Sequence, residues 1–192
     1  MSKDRLTFKQ QRLIKELDEL SELLTLDYHD ALEYEREGRT AYLEAARDKI
    51  IRGQVIIWYT LVDEFLAMEL CYYYFGRKRS FPELWRTKRF QLFNYHVLEE
   101  LHLLQKLRHV KAIRKIPKSI SETIERLNSL RNGLAHALFP ENLHKSTPKW
   151  KGKNIFSIDG IRALQDDIDE VVKFFVGGYR LTSVSRGKEE SD

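Results

Sequence analysis

The chain has 192 residues, of which 42% are hydrophobic and 32% are charged, a composition typical of a folded globular protein and not of a disordered one. No apolar run reaches the roughly 18 residues that a membrane-spanning helix needs. The first residues contain no apolar signal segment, so we expect no membrane association and a cytoplasmic location. Cys71 is the only cysteine, which excludes a disulfide within the chain and a cysteine-based zinc site.

Charge is distributed unevenly along the chain. Residues 1–76 contain 10 Lys and Arg against 15 Asp and Glu, residues 77–153 contain 18 against 6, and residues 154–192 contain 5 against 8. The middle segment therefore carries a net charge of +12, although the whole chain carries only +4. A basic segment of this kind favours a polyanionic partner, but a solvated basic face or a surface between subunits would produce the same pattern.

The first half of the chain is predicted to be helical. An amphipathic pattern at 5–26 and a helical composition at 28–37 predict an N-terminal arm over residues 1–40, ending at a break near Gly38. A broad apolar pattern over 41–75 predicts the central core helix. Gly76 is suited to end that helix because glycine readily adopts the left-handed conformation.

The second half continues the helical pattern. Further helices are predicted from Phe81-Pro82, over 92–110, over 119–139, and from Ile158 to Val176, where Gly177-Gly178 should stop the last one. The sequence therefore predicts an all-α fold, an up-and-down bundle of about five helices over residues 41–182, with a disordered tail at 183–192.

Two basic stretches are candidates for RNA contact. Arg77-Lys78-Arg79 forms a predicted loop after the core helix, and Lys149-Trp150-Lys151 lies in the loop after Pro140. An aromatic ring flanked by cations can stack on a base while the cations contact phosphates. Trp150 would equally serve to pin its loop to the core.

The most informative stretch is Arg131-Asn132-Gly133-Leu134-Ala135-His136. It lies in the predicted helix 119–139, for which Ser119 and Glu122 form an S-x-x-E capping pattern. Asn132 and His136 are four residues apart and share one helix face with the nearby Arg131. Arginine matches phosphate oxygens with its planar fork, and histidine suits proton transfer near neutral pH. We therefore interpret Arg131, Asn132 and His136 as candidate catalytic residues.

Two other features of the sequence bear on this candidate site. Gly133 costs about 1 kcal/mol relative to alanine inside a helix, which predicts that another helix approaches closely there. Asp63 and Glu64 interrupt the apolar pattern of the core helix and are candidate supporting acids that would orient a catalytic side chain, unless they simply face water.

Several common enzyme signatures are absent from the sequence. It contains no P-loop, no G-x-G-x-x-G after a predicted strand, no G-x-S-x-G and no H-E-x-x-H. His96, His102 and His109 lack the i,i+4 spacing of a helical metal pair. We therefore expect neither a cofactor nor a bound metal.

The hexapeptide resembles the R-x4-6-H signature of the HEPN superfamily of helical ribonucleases and nucleotide-associated proteins. Arg131 and His136 match its two defining positions, and Asn132 matches the polar residue that often follows the arginine. The resemblance implies a homodimer that pools these residues in a composite site, and a metal-independent endoribonuclease that leaves a 2′,3′-cyclic phosphate. It also implies a toxin or defence role with an antitoxin or defence-complex protein as partner. Some HEPN toxins carry a modifiable tyrosine where this chain has Leu138.

A second interpretation predicts the same fold without catalytic activity. A non-catalytic HEPN-like module would bind RNA or a protein partner through the same dimer. Arg131 would then form a surface ion pair, and His136 would cap the end of its helix.

Overall fold

The computed structural model describes residues 36–78, 80–136 and 148–184, with the backbone alone at 36–43, 45–46, 135–136 and 178–184. The helix predicted at 5–26 lies outside the described residues, as does most of the predicted arm and tail. The chain divides into two compact units, Met1–Lys49 and Ile50–Asp192. Of the first unit, the structure describes the beginning of one long helix.

Helices make up almost all of the described structure, which confirms the all-α prediction. Six α-helices follow in chain order: α1 (Arg36–Phe75), α2 (Phe81–Trp85), α3 (Lys88–Phe93), α4 (Leu103–Ile113), α5 (Lys118–His136) and α6 (Ile158–Val184). A short π-helix, Asn94–Leu98, follows α3. The strands β1 (Lys149–Trp150) and β2 (Lys153–Asn154) form a small antiparallel hairpin. In these described ranges, no helix has the length and apolarity needed to cross a membrane.

The core of the second unit is formed by apolar side chains that recur at helical spacing. α5 contacts both α4 and α6. The side chains with almost no exposure include Val55, Val62 and Leu66 of α1, Leu103 and Val110 of α4, Ile124 and Leu127 of α5, and Leu164, Val171 and Phe175 of α6. Because the buried stripe of α5 faces inward, the polar residues near its end remain at the surface.

The long helix α1 differs from its prediction near its start and agrees with it at its end. The predicted break at Gly38 is wrong, since α1 is continuous from Arg36 to Phe75. One glycine costs only about 1 kcal/mol in a helix, which a long helix can absorb. Gly76 ends α1 as predicted, with φ +76° and its N–H donating to the Tyr72 carbonyl at 3.0 Å.

The single helix predicted over 92–110 is also wrong. The chain there forms the end of α3, the π-helix, a break at 99–102 and then α4. The break is stabilised by the Gln105 side chain, which accepts a hydrogen bond from the His102 N–H at 2.8 Å. This contact gives α4 a new start.

The ends of α5 and α6 differ from the predictions as well. α5 begins at Lys118, and the Glu122 carboxylate pairs with Lys118 and Arg126 instead of forming the predicted capping box with Ser119. Ser157 caps α6 as predicted, since its hydroxyl accepts from the Gly160 N–H at 3.1 Å. α6 then continues through Gly177 and Gly178 to Val184, so these glycines do not stop it.

Candidate functional site: a recess beside the end of α5

Arg131 and Asn132 lie next to each other near the end of α5, and both are exposed. Arg131 Nη1 donates a hydrogen bond to Asn132 Oδ1 at 3.2 Å. His136 is the last residue of α5; its side chain lies outside the described part of the structure. The backbone places His136 one helical turn after Asn132, as the spacing predicts.

The Arg131 guanidinium is held over an aromatic ring. Its Cζ lies 5.4 Å from the centroid of the Tyr59 ring, a cation–π arrangement that orients the arginine without using its hydrogen-bond donors. Burial and the Asp63 carboxylate raise the pKa of the Tyr59 hydroxyl above its ordinary value of 10, although Arg131 opposes them. Tyr59 is therefore a neutral phenol at physiological pH.

A second arginine holds the end of α5. Arg52 of α1 donates from Nη1 to the carbonyl of Leu134, and its guanidinium lies 5.3 Å from the centroid of the Phe156 ring. Carbonyls in the last turn of a helix lack partners within the helix, and the helix dipole favours positive charge there. Arg52 therefore fixes the turn that carries the motif.

These side chains enclose a recess of about 270 Å³, which we call the Arg131 recess. Its walls are mainly apolar, and Arg52 and Arg131 are its charged residues. The lining residues are Arg52, Val55, Ile56, Tyr59, Thr60, Arg131 and Leu134. Two guanidinium groups beside an apolar surface can accept an anionic group such as a phosphate.

Sequence reasoning missed Arg52 and Tyr59. They lie on α1, 79 and 72 residues before Arg131, and belong to no short motif. Their seven-residue separation places both on one face of a helix two turns apart, and this periodicity is the only trace of the recess in the α1 sequence. Which face of α1 meets α5 depends on the tertiary packing.

The two candidate supporting acids have different surroundings. Asp63 Oδ2 accepts from Lys106 Nζ at 2.6 Å, and the Lys106 side chain is only 8% exposed. Asp63 also acts on Tyr59, because its charge raises the pKa of that hydroxyl. Glu64 is exposed, and both acids line a different, larger cavity. Asp63 is therefore the acid connected with the Arg131 recess, through Tyr59.

The first basic stretch forms part of a second recess. Arg77 and Lys78 are exposed and, together with Arg89, line a cavity of about 520 Å³ at the end of α1. Arg77 also lies 5.2 Å over the Tyr72 ring and 3.9 Å from Glu69. Arg79 lies outside the described residues.

The second basic stretch requires a correction. Trp150 is only 2% exposed, and its indole N–H donates to Asp167 Oδ2 at 2.8 Å. A ring in this position cannot stack on a base, so Trp150 pins the hairpin to α6. Lys149 is exposed, and Lys151 Nζ pairs with Asp167 Oδ1 at 2.6 Å.

The surroundings of Gly133 are open. A Cβ built there would meet no atom of a described residue within 4 Å, so the close helix approach that the sequence predicts has no counterpart within the described chain. The described residues also contain no group of three or more His, Cys, Asp and Glu side chains that could hold a metal.

Comparison with known proteins does not extend this picture. Searches against family models, curated proteins and solved structures found no match to the chain.

Proposed function

We propose that the chain is a metal-independent endoribonuclease of the HEPN type, with Arg131, Asn132 and His136 as its catalytic residues. The observation that carries the proposal is the arrangement of Arg131: it is exposed, held over Tyr59 and hydrogen-bonded to Asn132, on the helix that ends at His136. A charged side chain that is fixed yet accessible is suited to an anionic substrate.

The proposed reaction is transesterification of RNA. The ribose 2′-oxygen attacks the adjacent phosphorus and loses its proton to a base. The bond from phosphorus to the 5′-oxygen breaks, and that oxygen takes a proton from an acid, leaving a 2′,3′-cyclic phosphate and a 5′-hydroxyl. His136 is assigned the proton transfer, since imidazole titrates near neutral pH and the end of a helix favours its protonated form.

Arg131 is assigned the stabilisation of the negative charge that develops on the phosphoryl oxygens in the transition state. A guanidinium can donate two parallel hydrogen bonds to phosphate oxygens, and the Tyr59 ring holds it in place before substrate arrives. Asn132 would orient the imidazole or donate to the phosphate. Arg52 acts through the backbone, because its bond to the Leu134 carbonyl holds the turn that carries His136.

The proposal includes a homodimer. One helix supplies one histidine, whereas the reaction needs both a base and an acid. Ile56 lines the Arg131 recess and is 56% exposed. This exposed apolar side chain and the open surface at Gly133 support association with a second copy near the recess.

Cleavage of end-labelled RNA in EDTA tests the catalytic assignment. We expect wild type to release fragments with 2′,3′-cyclic ends, identified by mass spectrometry, and Arg131→Ala and His136→Ala to lose at least a hundredfold in rate. Arg126→Ala is the matched control, since Arg126 is an exposed arginine on the same helix that pairs with Glu122. Equal rates for wild type and His136→Ala would refute the assignment.

Mixing the two inactive variants tests the composite site. If one protomer supplies arginine and the other histidine, mixed dimers of Arg131→Ala and His136→Ala regain part of the activity. No recovery, with exchange of subunits verified by a mass tag, would show that each protomer acts alone.

A non-catalytic RNA-binding module is the alternative. The cavity lined by Arg77, Lys78 and Arg89 favours it, because three cations there can bind phosphates without any chemistry. In that case wild type and His136→Ala bind RNA equally and neither cleaves it, whereas Lys78→Ala weakens binding.

A further inference from the structure

The end of α1 carries a concentration of positive charge. Arg77, Lys78 and Arg89 are exposed and line the cavity of about 520 Å³ there, which we call the basic recess. No acidic side chain of the described residues contributes to its lining. Residues 77–98 contain six Lys and Arg against one acid, Glu83, whose carboxylate caps the start of α2. The basic recess therefore favours a polyanionic ligand.

Aromatic rings of α1 hold two of these cations in place. The Arg89 guanidinium lies 5.5 Å from the centroid of the Phe75 ring, and the Arg77 guanidinium lies 5.2 Å from that of Tyr72. Arg77 also lies 3.9 Å from Glu69, a buried carboxylate whose other oxygen pairs with a second arginine at 2.8 Å. The ring contact uses none of the N–H donors of Arg89, so its planar fork is positioned for phosphate oxygens before a ligand binds.

An exposed aromatic ring shares the wall of the basic recess with the cations. Tyr74 lines the recess and is 49% exposed. A chain of ring contacts leads from it to Trp85, which is 40% exposed, with successive centroids 5.2 Å apart. The rings between these two are Phe93, Phe75 and Phe90. The basic recess is therefore one end of a packed aromatic cluster whose outer rings are accessible for stacking.

We propose that the basic recess binds single-stranded RNA and is an anchoring site separate from the site of cleavage. The cations contact phosphates, and Tyr74 stacks on an unpaired base next to them. A base within a duplex has no free face for stacking, so this arrangement selects single strands. An anionic membrane surface would match the charge alone, whereas a nucleotide carries a flat group beside its phosphate and reaches both the ring and the cations.

The binding of RNA stands apart from the proposed function, but its effect on cleavage rests on it. Tyr59 lines the Arg131 recess and Phe75 lines the basic recess. The 16 residues of α1 from one to the other rise about 24 Å, which a stacked strand spans with about seven nucleotides at about 3.4 Å each. A long RNA therefore occupies both recesses at once, whereas a trinucleotide occupies one. Anchoring then strengthens the binding of long substrates and leaves the bond-breaking step unchanged.

Fluorescence anisotropy of the full chain with a labelled 2′-O-methyl RNA tests the anchoring site without cleavage, because a blocked 2′-oxygen cannot attack phosphorus. The strand is single and about 20 nucleotides long, enough to span both recesses. We expect Lys78→Ala and Arg89→Gln each to weaken binding about threefold or more and to reduce the salt slope of log K by about 0.7. Lys173→Ala is the matched control, since Lys173 is an exposed lysine of α6 that pairs with Glu170; it should leave affinity unchanged.

The stacking contact has its own variant. Tyr74→Leu keeps an apolar side chain against Phe93 and removes the flat face, so we expect about fivefold weaker binding or more with an unchanged salt slope. Thermal unfolding verifies that each variant is folded. Unchanged affinity in the Lys78, Arg89 or Tyr74 variant would overturn the proposed contacts. Binding to vesicles containing phosphatidylserine as tight as binding to the RNA would overturn the recognition of a nucleotide.

Cleavage of long and short RNA separates this inference from the nuclease assignment. If both hold, Lys78→Ala raises KM for the long RNA about threefold or more and leaves kcat, and leaves kcat/KM for a trinucleotide unchanged, whereas His136→Ala abolishes cleavage of both. Weaker RNA binding by Lys78→Ala, without cleavage by wild type, would keep the anchoring site and remove the enzyme. Equal losses of kcat/KM for the long and the short RNA in Lys78→Ala would overturn a separate anchoring site.

Discussion

The Arg131 guanidinium lies 5.4 Å from the centroid of the Tyr59 ring. This contact connects the motif helix α5 with the core helix α1 at the point where their polar residues meet. Because the ring uses none of the five N–H donors of Arg131, the cation remains free to bind a phosphate while its position is fixed.

Tyr59→Leu should reduce cleavage more than Tyr59→Phe does. Leucine removes the ring on which Arg131 rests, an exposed cation–π contact of about 0.5–1 kcal/mol, which corresponds to a two- to fivefold loss in rate. Phenylalanine keeps the ring and loses only the hydroxyl. Single-turnover rates for both variants check this prediction, and equal losses would mean that the hydroxyl, not the ring, matters.

Arg52→Met should loosen the end of α5. The substitution keeps an apolar stem of similar reach and removes the donor to the Leu134 carbonyl. We expect a loss of about 1 kcal/mol in the free energy of unfolding and faster amide exchange at 132–136, measured by urea titration and hydrogen exchange. Arg126→Met, on the exposed face of α5, serves as the comparison. Unchanged exchange in Arg52→Met would show that the bond does not hold this turn.

The relation of sequence to structure is clearest at the candidate site. The position of Arg131, Asn132 and His136 in one helix follows from the periodicity of the sequence, so the sequence was sufficient to predict that the three share it. Arg52 was not predictable, because its partner is a backbone carbonyl 82 residues away. Every residue has such a carbonyl, so the sequence does not show which one an arginine binds. A motif can identify the residues of one helix, but not the side chains that another helix adds.

The same limit explains why some helix boundaries were predicted wrongly. Apolar residues over 92–110 fit one continuous helix, yet Val97 is 41% exposed and the chain breaks before Leu103. The Gln105 contact with the His102 backbone decides where α4 begins, and the bonding requirements of that backbone do not appear in hydrophobic periodicity. Helices α1 and α6 continue through Gly38 and Gly177, because a glycine lowers helix stability without ending the helix.

Gly133→Ala should have opposite effects on the protomer and the dimer. A methyl group at this position meets no atom of the described residues within 4 Å, so helix propensity predicts a gain of up to about 1 kcal/mol in stability. If a second copy packs closely there, the same methyl group weakens the dimer. Thermal unfolding at low concentration and sedimentation equilibrium measure the two effects, and a dimer of unchanged affinity would place the interface elsewhere.

Gly160→Ala is the contrasting substitution. A Cβ at Gly160 would overlap the backbone carbonyl of Asn154, which cannot move without shifting β2. We expect a loss of about 1–3 kcal/mol, measured by urea unfolding. An unchanged free energy of unfolding would mean that the hairpin shifts at little energetic cost.

Stability should decrease at alkaline pH through Cys71. Burial raises the pKa of this thiol from 9.0 to about 11 in the folded chain, so the folded state holds the proton more tightly than the unfolded state does. The resulting stabilisation is complete below pH 9 and is lost as the pH rises towards 11. Urea unfolding at pH 8 and pH 10.5 should therefore show a smaller decrease for Cys71→Ala than for wild type. Parallel decreases would contradict the raised pKa.

Trp150 should matter for stability and not for RNA. Trp150→Phe loses the hydrogen bond to Asp167 and should cost about 1–2 kcal/mol, whereas Trp150→Ala also leaves a cavity and should cost about 3–5 kcal/mol. Lys149→Ala is the matched comparison: its exposed side chain should leave stability unchanged and weaken RNA binding through a lost phosphate contact. Urea unfolding and fluorescence anisotropy with single-stranded RNA measure both properties. If Trp150→Phe remained stable but bound RNA weakly, the indole would have to leave the core to reach a base, contrary to its burial beside Asp167.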